Sequence, residues 1–276
     1  MKIAVKINKL EDIYSINADS YLLTSKNFSI RFYHEFTLSE IRKVKEYCKK
    51  NNKELGIIVN KIMFDEDILK LNNYLNSLKK IDVDKIYFAD FSVFMLAKKL
   101  NIEDKMVFFH ETFIRNTYDI EAYKEMGIKH FVCSKDMNIE SVLKLNDKEN
   151  MEIVCFGYIP IYYSKRKIVS NFKNINNLNF DCNNFSLKIK ELTRNEKYPI
   201  IEQNNQTIVF NNKVLSYIDY MKELSRHINV FIFDALFFSV DEINDIIEKH
   251  IKALNRKESL NIPYTSLFLD KKVGLI

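Results

Sequence analysis

The sequence predicts an α/β fold and, within that class, a closed (β/α) barrel. Two observations carry this. Short strand-like runs at 3–7, 20–24, 55–59, 85–89, 106–110, 130–133 and 151–156 alternate with amphipathic helical patterns. Strands joined by helices imply right-handed crossovers and a parallel sheet. Seven such runs precede residue 157. That is more than a small open sheet commonly needs, so closure is the leading architecture and a doubly wound open sheet the alternative.

The helices between the strands are legible from their apolar period. Leu38, Ile41, Val44, Tyr47 and Cys48 fall on one face of a helix opened by the capping box Thr37-Leu38-Ser39-Glu40. Ile68, Leu69, Leu75 and Leu78 repeat the scheme over 65–80. After the seventh strand the text becomes asparagine-rich from 170 to 184. Two apolar runs, 198–203 and 207–210, then flank Asn204-Asn205 and predict a hairpin. A helix over 213–226, a strand over 229–234 and a helix over 240–253 follow. The expected organisation is one barrel domain over 1–276, with 170–212 as an irregular insertion and 260–276 as a C-terminal tail.

Composition narrows the class. Of 276 residues, 47% are apolar and 29% charged, enough for a sizeable core and inconsistent with global disorder. The formal charge of +5 is modest and the lysines are interspersed with acids, which reads as a solvated surface rather than a general nucleic-acid footprint. The N-terminal apolar run is broken by Lys6 and lacks a small-residue cleavage site, so it reads as a strand. No apolar run approaches the roughly 20 residues that cross a bilayer. A cytoplasmic protein with no membrane partner is expected. Cys48, Cys133, Cys155 and Cys182 form no C-x-x-C pair and are expected to be reduced, mostly as small buried hydrophobes.

In parallel α/β folds the working groups stand where strands end. Those positions hold Arg31, Asn60, Asp90, His110, Glu111, Asn116, Lys135, Asp136 and Asp234. Asp90 before Ser92, and Asp136, read first as helix caps. His110 beside Glu111 pairs an imidazole with a carboxylate, a combination suited to acid–base work. The chain has no H-E-x-x-H, G-x-S-x-G or glycine-rich phosphate loop, and no metal-spaced His/Cys cluster.

The run from Cys155 to Arg166 is the densest feature. It spends one of four glycines, Gly157, and one of three prolines, Pro160. Tyr158, Tyr162 and Tyr163 then lead into Ser164-Lys165-Arg166-Lys167, and aromatics beside cations suit RNA or another anionic ligand. A solvated turn with tyrosines packed on the barrel rim is the structural alternative.

In order and spacing the text resembles the collagenase-like peptidase family U32, in its short bacterial members without an added C-terminal domain. The resemblance runs from Phe28-Ser29-Ile30-Arg31 and Glu35-Phe36-Thr37 through Val59-Asn60, Ala89-Asp90, and Glu111-Thr112 with Asn116. It continues to Gly157, Ser164-Lys165-Arg166, Lys197-Tyr198-Pro199-Ile200 and the Asp234 strand, ending in a tail at 265–272. It implies a TIM-like barrel. Family members were first described as peptidases, and others resemble components of oxygen-independent hydroxylation systems acting on tRNA, ribosomal RNA or quinone precursors, with an iron–sulfur cluster on four cysteines.

This chain departs from that pattern where the ligands would stand. The family's His-Gly pair is Phe156-Gly157, and two cysteine positions hold Pro160 and Lys167, neither of which supplies a thiolate. Cys182 alone cannot hold a cluster. The expectation is therefore no iron–sulfur cluster, no other cofactor and no metal. Three classes follow from the resemblance: a peptidase with His110 and Glu111 as its catalytic pair, an accessory subunit in tRNA modification by hydroxylation, or an inactive binding subunit. The second is preferred. It would contact RNA or substrate through Arg31, Asn60, Asp90, Asn116, Tyr158, Ser164, Lys165, Arg166 and Asp234, with a paralogous family member as heterodimer partner.

Overall fold

The computed structural model describes residues 1–110, 113–135, 137–145, 148–193 and 195–266. The first half alternates as the apolar pattern requires: β1 (Lys2–Lys6), β2 (Ser20–Thr24), α1 (Leu38–Lys50), β3 (Glu54–Val59), α2 (Asp65–Ile81), β4 (Lys85–Phe88), α3 (Phe91–Lys99), β5 (Met106–Phe108), α4 (Thr117–Glu125), β6 (His130–Val132), α5 (Ile139–Lys144) and β7 (Met151–Gly157). The second half holds β8 (Pro160–Ser164), α6 (Ile168–Ile175), β9 (Lys188–Lys190), β10 (Lys197–Gln203), β11 (Gln206–Phe210), β12 (Val214–Ser216), α7 (Met221–Leu224), β13 (Val230–Asp234), α8 (Val240–Lys252) and β14 (Tyr264–Thr265).

β1 to β7 pair in sequence order, all parallel. β13 then pairs in parallel with both β7 and β1, closing the sheet into an eight-stranded barrel among the described residues. The open doubly wound sheet is thereby excluded. Closure leaves the barrel strands no free edge and buries both faces of the sheet, which is why they read as near-continuous apolar runs. Near the starts of the strands the lumen holds charge. Glu152 accepts from Lys85 Nζ and from the Tyr87 hydroxyl, each at 2.8 Å.

The segment 170–212, expected as irregular, is largely built. β8, β11, β10 and β9 form a separate antiparallel sheet in that order, so the inserted unit begins at β8, before residue 170. The asparagine-rich composition suggested loop, but the helix inside it is held from a distance. Glu202 accepts from the backbone N–H groups of Val169 and Ser170, and Thr207 Oγ1 accepts from Ile168 N–H, so β10 and β11 satisfy the first turn of α6. The predicted hairpin is β10–β11, with Asn204 and Asn205 both at positive φ as its turn. Among the described residues, six of the eight non-glycine residues at positive φ are asparagines. In a chain this short of glycine, Asn supplies the left-handed positions.

The helix expected over 213–226 is the strand β12, a 3-10 turn and the four-residue α7. Tertiary pairing outweighs local propensity here. Leu215 and Ser216 lie antiparallel to Gly157 and Phe156, and the Ser216 hydroxyl reaches His250 Nε2 at 2.9 Å. Of the expected tail, β14 pairs with β12, while residues 267–276 lie outside the described residues.

The small sheet sits over the end of the barrel where the parallel strands finish. Its inner residues Ile201, Ile208 and Phe210 pack with Leu236, beside Tyr158, Phe185 and Phe237. Gln203 binds both backbone groups of Phe32, accepting from its N–H and donating to its C=O. Tyr33 stacks on Phe185 at 4.7 Å. These contacts tie the sheet to the β2–α1 loop and wall in the barrel mouth.

Candidate functional site

The floor of the mouth is set by β1 and β13. Lys6 and Asp234 are directly opposite in the parallel ladder, and Lys6 Nζ donates to Asp234 Oδ2 at 3.0 Å and to the Arg31 carbonyl at 2.7 Å. Asp234 also accepts from the Leu236 N–H through its other oxygen. A lysine this buried needs such partners to stay charged. Gly157 closes in from β7: a Cβ there would lie 2.7 Å from the Asp234 Cβ, and its φ of +145° disfavours any side chain. The glycine singled out in the sequence thus makes room for the site's carboxylate.

Arg31 stands at φ +61°, a costly conformation for a long side chain. Asn60 holds the same loop, its Oδ1 accepting from the Ile30 N–H at 2.9 Å. Arg31 and Asn60 line both a floor cavity of about 30 Å³, shared with Lys6, Lys135, Gly157, Tyr158 and Asp234, and a larger cavity above it of about 420 Å³. The upper cavity adds Lys61, Phe64 and His110 on the barrel rim and Tyr162, Tyr163 and Lys165 from β8 and the turn after it. Lys165 Nζ lies 4.9 Å above the Phe64 ring. Burial pushes the Tyr158 and Tyr163 hydroxyls upward, so both are neutral donors at physiological pH.

The mouth thus gathers Arg31, Asn60, His110, Tyr158, Lys165 and Asp234, which the sequence offers only as scattered strand ends. His110 stacks on Phe113, with ring centroids 3.8 Å apart and planes 8° from parallel. Its proposed partner Glu111 lies outside the described residues, as does Asp136.

Four expected residues are not part of the cavity lining. Asp90 caps α3, accepting from Ser92 N–H at 2.8 Å and Ser92 Oγ at 2.6 Å, while its other oxygen accepts from Met63 N–H at 3.0 Å. Asn116 caps α4 by accepting from Asp119 N–H at 3.0 Å. Ser164 pairs with Thr207 in the small sheet, and the Arg166 carbonyl accepts from Thr207 Oγ1 at 2.7 Å.

Lys6, Lys61 and Phe64 escaped the strand-end reading. Lys6 had a signal, being the charge that interrupts an otherwise apolar strand. Lys61 follows Asn60 directly and pairs with Asp67 at 3.2 Å.

The residues around the expected cluster positions are a poor donor set. Pro160 opens β8, Lys167 precedes α6, and Cys182 packs beside Val169, Ile200 and Val209. Cys48, Cys133 and Cys155 are buried elsewhere, and burial pushes the Cys48 thiol up to about 11 and the Cys133 thiol up to about 12. Among the described residues no group of three or more His, Cys, Asp and Glu side chains is placed to hold a metal ion. Phe156 does not line the mouth either. It packs against Phe238 at 4.9 Å and edge-on to His250 at 5.9 Å, between the barrel wall and α8.

Known proteins resemble this chain in both sequence and fold. The tRNA hydroxylation protein P2 of Bacillus subtilis is 24% identical over 213 residues, covering 75% of this chain and 69% of the relative. The tRNA hydroxylation protein P1 of the same bacterium is 23% identical, over 61% of this chain and 40% of the relative. A collagenase of Porphyromonas gingivalis is 20% identical over 47% of this chain and 30% of its own length. The chain thus spans less than half of the last two. A solved U32 peptidase structure superposes with a TM-score of 0.51 at 11% identity, covering 84% of this chain and 91% of that one, which supports the barrel. The model of Peptidase family U32 matches residues 5–261, and the chain belongs to that family.

Proposed function

We propose that this chain works in the cytoplasm as an accessory subunit of tRNA modification by hydroxylation, holding RNA at the barrel mouth beside a second member of its family. One observation carries the reading. The upper cavity brings Arg31, Lys61, His110 and Lys165 together with Phe64, Tyr162 and Tyr163, and its lining holds no Asp or Glu among the described residues. Cations draw a phosphate backbone and release its counterions, while aromatic faces stack on unpaired bases. The two Bacillus subtilis relatives named as tRNA hydroxylation proteins agree with it, and their occurrence as a pair supports the paired subunit.

A peptidase reading draws support from the collagenase relative, but no Ser, Thr or Cys side chain lines the mouth cavity among the described residues. We also propose that the chain carries no iron–sulfur cluster. Pro160 and Lys167 at the expected ligand positions, and the buried, separated thiols, support this. Stoichiometric iron and labile sulfide after anaerobic purification would overturn it.

The RNA reading is tested by titrating unmodified tRNA against the purified protein at several salt concentrations. Binding that weakens with salt and with loss of Lys165 is expected. Saturable cleavage of gelatin, abolished by His110→Ala, together with no tRNA binding, would replace this reading with the peptidase.

A further inference from the structure

A second concavity opens beside the mouth, along α2. It measures about 1120 Å³ against about 420 Å³ for the upper mouth cavity, and the two share Ile30, Lys61, Phe64 and Gln206 in their linings. One wall is α2 and the other is the loop between β2 and α1, to which the β10–β11 turn adds Asn204, Asn205 and Gln206.

The helix α2 serves both sides. Leu71, Leu75 and Leu78 recur at helical spacing and are fully buried in the core, while Lys70, Asn73 and Ser77 recur at helical spacing along the groove. The groove is rich in amides, with Asn27, Asn73, Asn204, Asn205 and Gln206 in its lining. Each amide side chain offers both donors and an acceptor. Of the two acids, Asp67 is already engaged, accepting from the Phe64 N–H and pairing with Lys61, each at 3.2 Å. Lys26, Lys61 and Lys70 outnumber Asp67 and Glu66 among the described lining residues, and both Lys26 and Lys70 are exposed.

Phe64 stands at the junction. It is 52% exposed and lines both cavities, and Lys165 of the mouth lies over its ring. An exposed aromatic ring between two polar cavities is a stacking surface for a base that passes from one to the other.

Resting on the RNA reading above, we propose that the groove along α2 is a second RNA subsite. It takes the unpaired nucleotides that flank the one held in the mouth, with Lys26 and Lys70 on phosphates and the amides on sugar hydroxyls and base edges. The substrate is thereby a single-stranded loop. A base still paired and stacked in a duplex offers the amides no free Watson–Crick edge. The amide content also argues against an apolar protein segment, which would bury those groups without partners.

Fluorescence anisotropy tests this with single-stranded RNA oligonucleotides of increasing length, a hairpin RNA with an unpaired loop, and a full RNA duplex. Affinity of the unaltered protein is expected to keep rising with length after the mouth is filled, and the hairpin to bind more tightly than the duplex. Lys70→Ala with Asn73→Ala, and separately Asn204→Gly with Asn205→Gly, should each weaken hairpin binding about five-fold or more, the scale of two lost hydrogen bonds. Both should flatten the length dependence and leave the shortest oligonucleotides unaffected. Only the first should also lower the salt slope, by about 0.7 for the one cation removed. Lys70 and Asn73 are exposed on their helix, and glycine retains the positive φ of the turn, so unchanged thermal unfolding shows that both variants are folded.

Full hairpin affinity in both groove variants, with Lys165→Ala still weakening it, would overturn the proposal and leave the RNA reading standing. Absence of RNA binding, or binding indifferent to Lys165, would remove both. Equal affinity for hairpin and duplex, or groove variants that bind RNA normally but fail to assemble with a second family member, would each name another occupant and overturn the proposal.

Discussion

Gly157 and Asp234 occupy one space: a methyl group on the glycine would lie 2.7 Å from the aspartate Cβ. The contact places Asp234 where Lys6 can pair with it, and so couples the end of β7 to the charge at the barrel floor.

Gly157→Ala should therefore do more than strain one residue. The backbone penalty at φ +145° and the clash together should cost about 2–4 kcal/mol, measured by urea unfolding. If Asp234 is pushed off Lys6, the loss should shrink in an Asp234→Ala background. Additive losses would deny the coupling.

Breaking the floor pair from one side leaves a buried lysine uncompensated. Asp234→Ala should cost about 2–4 kcal/mol, while Lys6→Met with Asp234→Leu should recover most of it. A double-mutant cycle by denaturant unfolding measures the interaction. An interaction energy near zero would make the pair incidental.

Mouth cations and helix caps should separate cleanly. Arg31→Ala and Lys165→Ala should each weaken tRNA binding and lower the salt slope by about 0.7–0.9 per cation removed. Asp90→Ala and Asn116→Ala should lower stability by about 0.5–2 kcal/mol through lost caps, with tRNA affinity retained. Fluorescence anisotropy and thermal unfolding on the same four variants would check both halves.

His250 predicts the acid limb of stability. It is fully buried, accepts from Ser216 Oγ at Nε2 and donates from Nδ1 to the Ile246 carbonyl at 2.7 Å; burial holds its pKa down to about 4. An unfolded imidazole titrates near its ordinary value of about 6.5. Between these values the unfolded chain binds the extra proton, so stability is full above pH 6.5 and falls as pH drops toward 4, by up to about 3 kcal/mol. Urea midpoints across this range should show the slope. His250→Gln should flatten it, and an unchanged slope would place the acid sensitivity elsewhere.

Much of the fold is written locally. The run 20–24 is strand β2, and Thr37 with Glu40 forms the capping box that opens α1. Residues 170–212 were harder, because what orders α6 is Glu202 and Thr207, more than 30 positions along the chain. Asp90 and Asn116 stand at strand ends, where a site residue and a helix cap look alike in sequence, and their hydrogen bonds show the capping role.

By itself the sequence determined the alternation of strands and helices, the resemblance to the family and the expectation that Pro160 and Lys167 replace two of its ligands. All three depend on residue type and short-range spacing. Tertiary structure alone decided which strand ends meet. Lys6 and Asp234 are 228 residues apart and become partners only because β13 closes the barrel against β1. The same closure, with the small sheet laid over it, brings Arg31, Lys61 and Lys165 into one cationic mouth beside His110, since convergence of side chains from distant strands depends on barrel geometry and not on any local pattern.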